Sequence, residues 1–103
     1  MVRVYVRAHL DLLLLAVINQ EPDDGEAVMR EIREQSGRKF NPSSQVVYSA
    51  LHYLERNRLI RRSHVEPRRY MLTASGRRSL TAKRKEWESF AKMVQTLLQR
   101  TTT

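Results

Sequence analysis

One short segment of strand-compatible residues interrupts a chain whose apolar residues otherwise recur at helical spacing. Its strand-compatible residues, between positions 59 and 73, include Ile60, Val65, Tyr70 and Leu72, on either side of Glu66-Pro67-Arg68. Branched and aromatic residues divided by a proline-containing tip are typical of a two-stranded hairpin. The chain has 103 residues, which is enough for one domain. We therefore predict a mainly α-helical fold with one small β-hairpin.

Three helices are predicted ahead of the hairpin. Apolar residues at intervals of three and four indicate helices over residues 3–19, 26–35 and 42–57. Gly37 follows the second helix, at a position where a left-handed backbone conformation commonly ends a helix. Ser43 or Ser44 is suited to cap the third helix, because a serine hydroxyl accepts hydrogen bonds from free backbone N–H groups.

The last helix carries apolar residues beyond the reach of so small a domain. It is predicted from its cap Thr73 to about Gln99, with Gly76 tolerated in its first turn. The first helix is also unusually apolar, because Leu12 and Leu15 widen its stripe. We expect a second copy of the chain, or a larger assembly, to bury both helices. The predicted dimer-interface residues are Leu10, Leu13, Leu14, Val17, Trp87, Phe90, Val94, Leu97 and Leu98.

The order of the predicted elements suggests an architecture. Three helices, a basic hairpin and a further helix form a winged helix-turn-helix, in which the second and third helices are the DNA-binding pair and the hairpin is the wing. We expect a single structural unit, with residues 1–73 as the DNA-binding part and residues 74–99 as the dimerisation helix.

Charge is segregated along the chain, whose net charge is +8. Residues 21–34 hold six acidic residues against two arginines, whereas residues 56–85 hold eleven basic residues against one glutamate. So concentrated a basic region favours an anionic partner, and double-stranded DNA is the partner we expect. The alternative is a basic face that serves only solubility.

The candidate DNA-binding residues fall into two groups. Short polar and aromatic side chains near the start of the third helix are suited to base edges and phosphates, whereas arginines on the hairpin are suited to phosphates. As alternatives, the serines serve only as caps, the tyrosine is half-buried core and the arginines protect a strand edge. The two groups are Ser43, Ser44, Gln45, Tyr48, Ser49 and His52 on the helix, and Arg61, Arg62, Arg68 and Arg69 on the hairpin.

Four stretches of the sequence resemble the PadR family of bacterial transcriptional regulators. They are PSSQVVYSALHYLERNRLI at residues 42–60, RRYMLTASGR at 68–77, LLLLAVI at 12–18 and KEWE at 85–88. The resemblance implies a homodimer in which the last helix of one subunit packs against the first and last helices of the other. In the compact branch of the family, which this chain resembles, some members bind planar aromatic molecules near a tryptophan at the dimer interface.

The resemblance implies a DNA-binding repressor, and it points to an aromatic small-molecule effector at Trp87 that relieves operator binding. The alternative role of Trp87 is to serve only as an anchor of the dimer interface. Glu86 and Glu88 do not lie on the helical face of Trp87, so neither is assigned as a counter-charge for such a ligand. Val46 stands where the family has a DNA-contacting threonine, so this position offers contact with a thymine methyl group instead of a hydrogen bond. The alternative function is a winged-helix architectural or protein-interaction module with weak, non-specific DNA binding.

Other function classes receive little support from the sequence. The chain lacks cysteine, and His9, His52 and His64 are scattered over different elements, so we expect no metal site. No phosphate-binding loop or catalytic motif is present, and we expect neither a cofactor nor an enzymatic activity. The longest apolar run, residues 12–18, is too short to cross a membrane. We expect a cytoplasmic location.

Overall fold

Six elements follow one another in residues 9–22, 24–66 and 69–101, the part of the chain that this computed structural model describes. In chain order they are α1 (Leu10–Ile18), α2 (Gly25–Gln35), α3 (Ser44–Arg56), β1 (Ile60–Arg62), β2 (Tyr70–Leu72) and α4 (Ala74–Thr101). The predicted order, three helices, a hairpin and a long helix, is confirmed. The part of the predicted first helix before residue 9 lies outside the described residues, as do Pro67 and Arg68 of the hairpin tip.

Side-chain caps define where α2 and α3 begin. The Asp24 carboxylate accepts a hydrogen bond from the Ala27 N–H at 2.8 Å, which starts α2. The predicted cap of α3 is confirmed as Ser43, whose hydroxyl oxygen accepts from the Val46 N–H at 3.3 Å. Gly37 follows α2 with a φ of +65°, as predicted for a residue that ends a helix in the left-handed conformation.

Helix α1 lies at the centre of the core. It contacts α2, α3, β2 and α4, and Leu14, Leu15 and Ile18 are fully buried. Each such side chain stabilises the fold by about 1.5–3 kcal/mol through removal of its apolar surface from water. Contacts on several sides explain why α1 is so rich in leucine. The other fully buried large side chains are Val28, Val47, Leu51, Leu54 and Ile60.

Hydrogen bonds of Thr73 connect the end of α3, the base of the hairpin and the start of α4. The Thr73 hydroxyl donates to the Arg58 carbonyl at 2.7 Å and accepts from the Gly76 N–H at 3.0 Å. The Thr73 N–H donates to the Leu59 carbonyl at 3.1 Å. A Cβ atom at Gly76 would overlap the Leu59 carbonyl oxygen. Gly76 is therefore required for this close approach, and the expectation that it is merely tolerated was wrong.

Helix α4 continues well past the core. Its 28 residues extend over about 42 Å at 1.5 Å per residue. Among its described residues, the buried ones are Gly76 and Leu80, both near its start. Along residues 87–101, which we call distal α4, a line of apolar side chains is partly exposed. Within the described residues no helix is both long and apolar enough to span a bilayer.

Candidate nucleic-acid interface

The outward face of α3 is polar and lacks acidic residues. It is opposite the buried Val47, Leu51 and Leu54, which anchor α3 in the core. Such a face can approach an anionic surface without repulsion. Its members, spaced four, three and four residues apart, are Gln45, Ser49, His52 and Arg56, and all four are exposed.

The start of α3 carries the two serines predicted to contact DNA. Ser43 and Ser44 are both exposed. The Ser43 hydroxyl accepts from a backbone N–H as a cap, and a hydroxyl that accepts can also donate its proton. Capping and donation to a phosphate oxygen are therefore compatible at Ser43.

Tyr48 joins α3 to the first residue of α2. A Cβ atom built on Gly25 would lie 2.6 Å from both Cε1 and the hydroxyl oxygen of Tyr48. The tyrosine ring therefore lies directly over the Gly25 backbone, and a larger residue there would displace it. Because Tyr48 is still 44% exposed, it holds the two helices together and also presents one edge of its ring to solvent.

The hairpin, which we call the wing, orients its arginines differently. Its strands pair antiparallel, with Ile60 opposite Leu72, Arg61 opposite Met71 and Arg62 opposite Tyr70. Directly opposed residues share a face of the sheet and successive residues alternate. Since Ile60, Tyr70 and Leu72 are buried, Arg62 shares the face of the wing that packs on the core, and Arg61 is on the other face. The Arg62 side chain lies at the margin of that face, where it is 51% exposed.

Arg62 is held by two neighbours. Its Nε atom lies 3.5 Å from an Oε atom of Glu55, on α3, and its guanidinium carbon lies 5.8 Å from the centroid of the Tyr70 ring. Burial raises the pKa of the Tyr70 hydroxyl, and the positive charge of Arg62 partly opposes that rise. Arg61 and Arg69 are exposed, and Arg68, also predicted to bind DNA, lies outside the described residues.

Comparisons with known proteins identify the family. The sequence matches the transcriptional regulator PadR-like family over residues 14–82. This match covers the second half of α1, the helix pair, the wing and the start of α4. The chain belongs to the PadR-like family of transcriptional regulators. No curated protein matches it.

Solved structures of regulators share the fold of this PadR-like chain. A transcriptional regulator from Clostridium thermocellum is 25% identical, with a TM-score of 0.76 over 89% of this chain and 92% of that one. A PadR family regulator from Clostridium difficile is 23% identical, with a TM-score of 0.73 over 87% and 98%. A PadR-like regulator from Bacillus cereus is 20% identical, with a TM-score of 0.78 over 91% and 95%.

The structure divides the predicted interface residues of this PadR-like regulator into two groups. The first group lies on α1 and is buried within the single chain: Leu10, Leu14 and Val17. The core of one chain therefore already explains why these three residues are apolar. Leu13, also on α1, is half-buried. On distal α4, Trp87 and Val94 are half-buried. Phe90, Leu97 and Leu98, together with Met93, are 46–60% exposed. We call these six residues of α4, Trp87, Phe90, Met93, Val94, Leu97 and Leu98, the distal stripe.

A cavity of about 330 Å³ lies between α1 and α4, next to the distal stripe. The His9 ring meets the Trp87 ring edge-on, with 5.3 Å between centroids, and the Phe90 ring lies 6.0 Å from Trp87. Glu86, which was not assigned to a ligand at Trp87, also lines this cavity, because a cavity between two helices is lined by neighbouring faces of each. The residues that line it are His9, Asp11, Leu12, Lys83, Glu86, Trp87 and Phe90.

Sequence reasoning missed three exposed residues of the candidate interface. Tyr53 is 54% exposed on α3 beside the polar face. Its position off the apolar stripe of α3 could have indicated from the sequence that this aromatic side chain is exposed. Arg77 and Arg78 begin α4 beside the wing, where the Arg77 guanidinium donates to the Leu72 carbonyl at 3.4 Å. They belong to the basic region of the sequence but carried no assigned role. In the described residues, no three metal-binding side chains cluster.

Proposed function

We propose that this PadR-like regulator is a homodimeric, sequence-specific DNA-binding repressor whose binding to DNA is relieved by an aromatic small molecule. The observation that carries the proposal is the exposed polar face of α3, free of acidic residues, beside the outward-facing Arg61 of the wing. Repression is the simplest consequence, because a dimer bound at a promoter blocks access to it.

In the proposed complex, α3 enters the major groove and the wing contacts the backbone. Short polar side chains near the start of a recognition helix reach base edges, as in other helix-turn-helix proteins. On α3 these are Ser43, Ser44, Gln45, Tyr48, Ser49 and His52. On the wing, Arg61, Arg68 and Arg69 supply phosphate contacts, which set the register and most of the salt dependence of binding.

The proposed dimer forms through the distal stripe. Side chains as apolar as Phe90, Leu97 and Leu98 that are about half exposed in the isolated chain are typical of a surface buried by a partner. The stripe repeats at helical spacing along one side of α4, which suits packing against the α4 of a second copy. Two copies then present two α3 surfaces to one duplex.

The proposed effector site is the cavity beside Trp87. The rings of His9, Trp87 and Phe90 provide edges and faces against which a planar molecule stacks. Asp11 and Glu86 in its lining outnumber Lys83, so a planar cation is the favoured class of ligand. Because Trp87 and Phe90 belong to both the cavity and the distal stripe, a ligand there can change how two copies pack.

DNA specificity is the direct test of the proposed function. Duplexes enriched by the protein from a random pool are compared with scrambled duplexes of the same composition, by fluorescence anisotropy at about 150 mM salt, where non-specific contacts are strongly screened. We expect the enriched duplex to bind at least about 10³-fold more tightly. A ratio near one contradicts the proposal and supports an architectural module, the function that Val46 in place of a DNA-contacting threonine would suit.

The effector proposal has its own test. Trp87 is the one tryptophan of the chain, so its fluorescence reports on the cavity. Titration with planar cationic dyes should quench this fluorescence and weaken binding to the enriched duplex. Planar anionic dyes of similar size serve as the matched control and should bind less tightly. An absence of quenching across the cationic panel would contradict the proposed site.

A further inference from the structure

We infer that Arg62 is a positioning residue, which Glu55 and Tyr70 hold against α3 so that the wing and the recognition helix present their DNA contacts as one rigid unit. This inference deepens the proposed function and rests on it for its consequence in DNA binding. It also removes Arg62 from the set of arginines expected to contact phosphate.

The first observation is the place of Arg62 in the wing. Arg62 pairs with Tyr70 in the last paired position of the ladder before the tip. Beyond it, the described backbone bond is the Ser63 N–H donating to the Arg69 carbonyl at 2.9 Å. A two-stranded hairpin with three-residue strands is marginally stable without other support. The tip-proximal end of the wing therefore depends on side-chain contacts with the rest of the domain.

The second observation is that the two ends of the wing are fixed by different groups. At the base, Thr73 hydrogen-bonds to the carbonyls of Arg58 and Leu59. At the other end, the ion pair of Arg62 with Glu55 connects β1 directly to the last turn of α3. The guanidinium of Arg62 also faces the buried Tyr70 ring, so a planar, delocalised cation fits this place better than a point charge.

The third observation is the contrast with Arg61. Arg61 lies on the opposite face of β1, opposite Met71. Both side chains are exposed, so the contrast lies in the face of the strand and not in burial. The two adjacent arginines have the same charge and differ in their neighbours. Glutamine at either position removes one positive charge from the wing, which makes the pair a matched comparison.

The positioning role and direct phosphate contact predict opposite signs for one substitution. Glu55→Gln removes a negative charge from the last turn of α3, between its outward polar face and the wing. If Arg62 contacts phosphate, this substitution frees Arg62 and strengthens DNA binding. If Arg62 acts through Glu55, the same substitution loosens the wing and weakens DNA binding, although the protein becomes more positive.

The experiment measures the free protein and its DNA complex separately. Hydrogen exchange of the Ser63 amide in the free protein reports on the wing and requires no DNA. We expect Arg62→Gln and Glu55→Gln to accelerate this exchange by about threefold to tenfold, the size expected for a part-exposed ion pair supported by an aromatic ring. Arg61→Gln should change it by less than about twofold. Thermal unfolding by circular dichroism establishes that each variant folds.

Affinity for the enriched duplex completes the test. We expect E55Q and R62Q each to weaken binding by about threefold to tenfold, and the double variant to weaken it no further than either one, because the two residues act as a unit. R62K keeps the positive charge but lacks the planar guanidinium group. Its affinity for the enriched duplex should therefore resemble that of R62Q. The inference is overturned if E55Q strengthens DNA binding, if R62K binds as the wild type does, or if Ser63 exchange is unchanged in both variants. Loss of the proposed function would show as absent DNA specificity in the wild type, while the exchange measurement still decides the role of Arg62.

Discussion

Helix α1 and distal α4 are both rich in leucine, and the structure places them in opposite environments. Leu14 and Leu15 of α1 are fully buried among four other elements. Leu97 and Leu98 of distal α4 are more than half exposed. An excess of leucine in a small domain thus marks either the helix at the centre of the core or a helix whose apolar side chains stay exposed in the single chain. Sequence spacing alone does not distinguish the two, because both give the same apolar stripe.

The largest effect that we predict concerns the burial of α1 in the core. Leu14→Ala should lower the free energy of unfolding by about 2–5 kcal/mol, because it removes a large apolar side chain and leaves a cavity at a fully buried position. Urea unfolding measures the change. The same truncation at Leu97 should cost less than about 1 kcal/mol in protein diluted until it is monomeric. Equal costs at the two positions would contradict the distinction.

The next prediction tests whether distal α4 binds a second copy of the chain. Leu97→Glu with Leu98→Glu should weaken self-association by at least about 100-fold, because an interface would bury two unpaired carboxylates. Sedimentation velocity over a range of protein concentrations measures the change. Gln95→Glu with Gln99→Glu adds the same charge on the side of α4 away from the distal stripe, and it should leave self-association nearly unchanged. A glutamate variant at 97 and 98 that associates like the wild type would refute a dimer through distal α4.

A third prediction concerns the proximal part of α4, which packs on the core. Glycine to alanine in an exposed helix normally stabilises it by about 0.5–1 kcal/mol. Gly76→Ala should instead destabilise the fold by about 1–3 kcal/mol, since the added Cβ overlaps the Leu59 carbonyl oxygen. Urea unfolding of this variant and of the neighbouring exposed Ser75→Ala supplies the comparison. A stabilised Gly76→Ala variant would show that the close approach does not exist.

A fourth prediction separates the wing from distal α4 in DNA binding. Arg61→Gln with Arg69→Gln should lower the slope of log affinity against log salt by about 0.9 for each phosphate that the variant no longer neutralises. Lys92→Gln with Arg100→Gln removes the same charge from distal α4, far along the chain from the wing, and should alter the slope much less. Equal slopes for the two double variants would mean that the basic wing acts only through net charge.

The smallest effect is expected from the pH dependence of stability. Burial raises the pKa of Tyr70 above its ordinary value of 10.0. The Tyr70 hydroxyl therefore ionises at a lower pH in the unfolded chain than in the folded one. For this reason the free energy of unfolding falls as the pH rises past 10. Tyr70→Phe should remove this part of the fall above the ordinary tyrosine pKa of 10.0, measured by urea unfolding. Tyr53→Phe, which removes an exposed hydroxyl, is the matched control and should not.

Features set by neighbouring residues could be predicted from the sequence. The order of elements follows from the spacing of apolar residues, and the Ser43 cap and the Gly37 turn follow from the chemistry of one or two residues. These predictions succeeded because the interactions that decide them are local in the chain.

Features set by contacts between distant residues could not be predicted in this way. Gly76 is required by the Leu59 carbonyl seventeen positions away, and the place of Tyr48 depends on the missing side chain of Gly25. The two faces of the wing give the adjacent Arg61 and Arg62 different neighbours, which depends on the strand register. Glu86 lines a cavity with Trp87 because α1 packs beside α4.

In the dimer that we propose, distal α4 joins two copies whose α3 helices and wings bind one duplex. Sedimentation of the protein with the enriched duplex is the decisive measurement, because the mass of the complex gives the number of chains per duplex. We expect two chains per duplex, and loss of this complex in the variant that carries Leu97→Glu with Leu98→Glu. A saturated complex with one chain, or an unchanged complex formed by that variant, would contradict it.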